Sequence, residues 1–122
     1  MGASWLDIER KHQAVSEASK DLEWKEPLSD VGVSGKVRVW RGVPDYAEDF
    51  IRPGDLVTTD PDSARRYAPR GKLLQADVYS HELLYHQRTG REVEFEYAGQ
   101  FRVGEPVNPE GTIEVYQRAK WR

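Results

Sequence analysis

The spacing of apolar residues changes period about a quarter of the way along this chain, and that change limits what it can fold into. Over residues 4–24, Trp5, Ile8, Val15 and Leu22 recur at roughly helical spacing with charges between them. From Lys36 onward the period is two, in "KVRVW", "KLLQADVYS" and "EVEFEY". A helix followed mostly by short strands reads as an α+β domain built on a largely antiparallel core, in one sheet or two. The chain has 122 residues, room for one core, so residues 1–35 are expected to form a helix and linker packed on a domain spanning 36–122.

Boundary signals refine this outline. Ser4 with Asp7 resembles a capping box, and Pro27 followed by "SDVGVSG" breaks the first helix. The apolar stripe of that helix is thin, which suits a helix on the outside of the domain. "KVRVW" is a strand that delivers Arg41-Gly42 at its end, and "DLVTT" is a second, short one. Asp60 caps a short helix with Pro61 at its first position, ending by Ala68-Pro69. "SHELL" reads as one helical turn, and "QFRVGEPV" and "TIEVYQRAKW" as two final strands separated by a turn at Asn108-Pro109-Glu110-Gly111.

Composition removes several function classes. There is no cysteine, so thiol catalysis, disulfides and cysteine zinc sites are excluded. His12, His81 and His86 have no metal-ligand spacing, and no metal is expected. A net charge of −3 argues against nucleic acid as a partner, although the end "YQRAKWR" is locally basic. No apolar run approaches the ~18 residues of a membrane span, so no membrane partner is expected and the chain reads as cytoplasmic, or as a toxin delivered into a target cell. There is no phosphate loop of the Walker or dinucleotide-fold type and no serine nucleophile elbow.

Four features remain. Arg41 precedes Gly42; a guanidinium suits bidentate phosphate binding, and glycine lets backbone approach a ligand, though a solvated edge arginine explains the pair equally simply. Thr58 and Thr59 end a strand, where strand propensity and helix capping also account for them. Tyr67 lies in the following helix, a position where an aromatic often serves the core. Last, "REVEFEYAG" puts Glu92, Glu94 and Glu96 on one strand face and Val93, Phe95 and Tyr97 on the other. Three carboxylates about 7 Å apart repel one another, which suits water, a cation or a reaction centre that gains positive charge.

In this order and spacing, Arg41-Gly42, "IRPGDLVTTD", "SARRYA", "GKLLQADV" and "EVEFEY" resemble the small ADP-ribosyltransferase-like domains of bacteria and phages, over residues 37–97. The resemblance implies a split antiparallel sheet carrying an arginine strand, a Ser/Thr strand and a Glu-x-Glu strand. It implies NAD as substrate, held by Arg41 and Gly42 at phosphate and ribose, by Thr58 and Thr59, and by Tyr67 stacking on nicotinamide. The family's Ser-Thr-Ser strand has lost its serines here. Glu94 takes the place of the catalytic glutamate and Glu92 that of the first carboxylate of Glu-x-Glu; the frame Glu94-x-Glu96 is the alternative. The poly-ADP-ribosylating type has histidine at the position of Arg41, so this chain sides with the arginine branch.

The implied activity is transfer of ADP-ribose to an acceptor, with a protein side chain expected, or NAD hydrolysis; a toxin and a phage-encoded modifier of host proteins both fit. The rival from another class is a non-catalytic or inhibitory protein-binding module that keeps the fold. The RNA 2′-phosphotransferase relatives would carry extra arginine and histidine at the phosphate site, and this sequence lacks them there.

Overall fold

The computed structural model describes residues 4–90 and 92–107. The expected turn at Asn108-Pro109-Glu110-Gly111 and the strand "TIEVYQRAKW" lie outside the described residues. The domain is α+β, with an N-terminal helix and a six-stranded antiparallel sheet. Helix α1 spans Trp5–Ala18, capped by the Ser4 hydroxyl, which accepts the Asp7 N–H at 3.2 Å. It stops short of residue 24: Ser19–Asp21 form a 3-10 turn, and extended backbone at Leu22 carries that side chain into the core.

The strands are β1 (Lys36–Val43), β2 (Leu56–Thr58), β3 (Lys72–Tyr79), β4 (Leu83–Thr89), β5 (Glu92–Tyr97) and β6 (Glu105–Pro106), with helix α2 (Pro61–Tyr67) between β2 and β3. Their order across the sheet is β4-β5-β2-β1-β3-β6. Three elements differ from expectation. Arg41 lies inside β1, not at its end, because Arg41, Gly42 and Val43 stay paired with Leu74, Leu73 and Lys72. "QFRVGEPV" contributes only two ladder residues and an Ile51–Val103 bridge, since Gly104 turns the chain at φ +94° and Pro106 has no N–H to donate. Beyond the turn at Ser80–Glu82, the unexpected strand β4 pairs along β5.

One sheet face carries the main core: Val39, Val57, Leu74, Val78, Val93, Phe95 and Tyr97, closed over by Leu28, Ile51 and Leu83. Alternation sends the chain neighbours of these residues, including Glu92, Glu94 and Thr58, to the other face. There α2 lies so close to β1 that a Cβ on Gly42 would stand 2.1 Å from the Ala64 carbonyl oxygen. Close helix packing therefore accounts for Gly42 without any ligand.

The two halves of the sheet, β4-β5-β2 and β1-β3-β6, meet at one registered pair, Trp40↔Thr58. Helix α1 binds both halves. Ile8 packs with Trp40, buried His12 shares a 2.9 Å hydrogen bond with Thr59 through Nδ1, and Arg88 of β4 donates to the Ser16 hydroxyl at 2.9 Å and the Ser19 hydroxyl at 2.7 Å. Among the described residues no helix is long and apolar enough to cross a membrane.

Candidate functional site

Where β1 and β2 part, the structure opens a cavity of about 230 Å³. Its walls come from four elements: Trp40, Arg41 and Gly42 from β1, Leu56, Val57 and Thr58 from β2, Ala64 and Tyr67 from α2, and Glu92 and Glu94 from β5. Residues up to 54 positions apart in sequence thus share one small volume, from Trp40 to Glu94.

The position of Glu94 follows from register. It stands opposite Thr58 on β2, and the β2–β5 ladder holds both on the face away from the core. Glu94 is only 6% exposed. Its Oε1 accepts two hydrogen bonds, from the Tyr67 hydroxyl at 2.6 Å and from Gln87 Nε2 at 3.0 Å. Tyr67 is placed by the cap of α2: Asp60 Oδ1 accepts the Asp62 N–H at 3.2 Å and Oδ2 the Ser63 hydroxyl at 2.8 Å. The seven-residue helix then ends with the tyrosine ring, 63% exposed, above Glu94. The carboxylate as acceptor, first of all, and the loss of water next drive the Tyr67 phenol well above its ordinary value, so it stays a donor.

Glu92 is the second carboxylate of the cavity. Its Oε1 is shielded from solvent and has no hydrogen-bond partner. Burial, first, and the neighbouring Glu94 charge push its carboxyl above the usual range, while the Tyr67 hydroxyl pulls the other way. Glu92 therefore holds a proton more readily than an ordinary glutamate does.

On the opposite wall Arg41 donates through Nη1 to the Leu56 carbonyl at 2.9 Å, and its Nε lies 3.7 Å from Asp55 Oδ2. Alternation assigns Arg41 to the core side with Val39 and Val43; it reaches the cavity through the gap beside β2. The hydrogen bond and the ion pair hold a half-buried guanidinium at the wall of a cavity that Glu92 and Glu94 also line. Thr58 lines the floor; its Oγ1 accepts the Asp60 N–H at 3.2 Å and keeps its own proton to donate.

Of the residues singled out from the sequence, Arg41, Gly42, Thr58, Tyr67, Glu92 and Glu94 come together here. Thr59 does not: it points under α1 to His12. Nor does Glu96 line the cavity; it lies two residues further along β5, opposite Leu56 and 3.8 Å from Lys25. Sequence reasoning missed Gln87 and Asp55. Gln87 belongs to a strand whose alternation is interrupted, and Asp55 opens the stretch "DLVTT", where nothing local sets it apart. Among the described residues no group of histidines and carboxylates could hold a metal ion. Comparison with protein-family models, curated proteins and solved structures gave no match.

Proposed function

We propose that this protein is an NAD-dependent ADP-ribosyltransferase, with Glu94 acting at the nicotinamide ribose. The observation that carries the reading is the meeting of Arg41, Thr58, Tyr67, Glu92 and Glu94 around one cavity. They are also the residues that the sequence pattern marks for this chemistry.

The chemistry asks for such a set. When the bond from ribose C1′ to nicotinamide breaks, its electron pair leaves with the ring, which becomes neutral nicotinamide, and positive charge appears on the sugar. Glycoside hydrolysis passes through the same kind of oxocarbenium-like state. A fixed carboxylate that accepts from a ribose hydroxyl binds that charged state more tightly than the ground-state sugar. Glu94, held by two donors in a shielded site, supplies it. Arg41 offers its remaining N–H groups to the pyrophosphate, Thr58 its hydroxyl to the ribose, and Tyr67 its ring to nicotinamide. Glu92, whose carboxyl is raised by burial and by the neighbouring Glu94, takes a proton from the acceptor nucleophile as it attacks C1′. A protein side chain is the acceptor of this reading, in the cytoplasm of the cell that makes the protein or receives it.

At about 230 Å³ the cavity is smaller than the roughly 300–1,000 Å³ usual for small-molecule sites. It can enclose nicotinamide and its ribose, with the adenosine end outside. The same size favours the second reading, a contact module that keeps the fold without turnover. Incubation with NAD, followed by assay of free nicotinamide and of label transferred to lysate proteins, separates the two. Wild type should release nicotinamide, and Glu94→Gln should lose about a hundredfold in rate. Turnover that survives the substitution removes Glu94 from its role, and absence of turnover under all conditions favours the contact module.

A further inference from the structure

We propose that Gln87 is a positioning residue: it holds Glu94 by one oxygen and leaves the other to the substrate. This rests on the reading of Glu94 as the residue that acts on NAD.

The inference starts from an irregularity in register. Along β4 and β5 the pairs run Leu83↔Tyr97, Leu84↔Glu96 and Tyr85↔Phe95, then jump to Gln87↔Glu94, Arg88↔Val93 and Thr89↔Glu92. His86 is the extra residue of a β-bulge. Counted without the bulge, His86 would stand opposite Glu94, and Gln87 would face the core opposite Val93. The bulge thus exchanges an imidazole for an amide beside the carboxylate.

The exchange matters chemically. An imidazole titrates near neutral pH, so its charge and its hydrogen-bonding role beside Glu94 would change over the working range. A glutamine amide does not titrate, and against a carboxylate, which only accepts, it must present its N–H₂. Gln87 therefore fixes Glu94 in the same way wherever that carboxylate is ionised.

The hydrogen-bond count says which oxygen is fixed. Tyr67 and Gln87 both donate to Oε1, and Oε2 of Glu94 has no partner among the described residues. The two donors are unequal. Tyr67 ends a short helix with its ring largely in solvent. Gln87 is also exposed, but its backbone belongs to edge strand β4, which is registered with β5 on either side of the bulge. With nicotinamide stacked on Tyr67, Gln87 remains as the second donor that holds Oε1 in place. Oε2 then faces the ribose hydroxyl at a constant angle.

Two measurements test this. The first needs no catalysis: in the ¹⁵N-labelled protein without NAD, one Gln87 side-chain amide proton should resonate downfield of its free-glutamine position, and Glu94→Ala should abolish the displacement. The second is steady-state NAD cleavage by Gln87→Met, which keeps the length and removes the donor. Its kcat should fall about tenfold or more while the KM for NAD stays within about twofold, the pattern of an interaction that matters mainly in the transition state. If Gln87→Met does not fold, Gln87→Glu replaces it: turnover should recover at acid pH, where the new carboxyl is protonated and can donate, and fall as it ionises. A free-glutamine amide signal in wild type, or an unchanged kcat in a folded Gln87→Met, overturns the proposal. If wild type does not cleave NAD, the functional reading fails, while the amide signal still decides whether Gln87 holds Glu94.

Discussion

Strand β1 has two neighbours and treats them differently. Against β3 it is registered at all eight residues, from Lys36↔Tyr79 to Val43↔Lys72; against β2 it is registered at one, Trp40↔Thr58. The long ladder is a scaffold that fixes the position of Arg41 along β1. The short junction is an opening. Because β2 and β1 part beside Trp40, Arg41 can cross to the Leu56 carbonyl, α2 can settle on Gly42, and Glu94 is left in a shielded but accessible space. One half of the sheet brings the cation and the other the carboxylates, and the cavity exists because the two are joined so sparingly.

The largest effect should come from filling the place where α2 closes this opening. Gly42→Ala puts a Cβ on the Ala64 carbonyl, backbone that cannot yield without moving the helix. Urea unfolding should show a loss of about 3 kcal/mol, and Tyr67 should be displaced from Glu94. Equal stability of the variant would mean that α2 does not pack as tightly as described. A smaller loss is expected on the far side of the junction. Thr59→Val removes the partner of His12 and should cost about 1 kcal/mol by the same assay while leaving the KM for NAD unchanged, since Thr59 points away from the cavity. A raised KM would return Thr59 to the ligand.

The smallest effect is one of pH. Because the folded state raises the Glu92 carboxyl above its unfolded value, the folded protein binds that proton more tightly than the unfolded chain does. The associated stability is whole below about pH 4.3, the ordinary glutamate value, and is lost as pH rises through the folded value. Glu92→Gln carries no such penalty. Its Tm should exceed that of wild type at pH 7 and match it near pH 4, and a constant difference across that range would remove the cause assigned here.

The parts legible in the sequence were those with strictly local causes. The Ser4 and Asp60 caps, the proline at the start of α2 and the alternation in β1, β3 and β5 each need only a few neighbouring residues. What escaped depended on distant chain. Arg41 stays in a strand because β3 runs alongside it to Lys72, and Gly42 answers to a helix more than twenty residues on. β4 was hidden by its own bulge: the extra His86 breaks the period of two just where a strand would have been recognised. The glutamate row showed its face but not its inequality. Only the register with β2 and β4 separates Glu94, doubly bonded, from the unpartnered Oε1 of Glu92 and from Glu96 near Lys25.

The central claim is that the gap between β1 and β2 receives the nicotinamide end of NAD. A crystal structure with the carbocyclic analogue of NAD, whose nicotinamide bond does not cleave, tests it most directly. The account predicts a ribose hydroxyl about 3 Å from Glu94 Oε2, nicotinamide against Tyr67, and the pyrophosphate toward Arg41. Analogue bound elsewhere on the molecule, or a cavity that stays empty at saturating analogue, would contradict it.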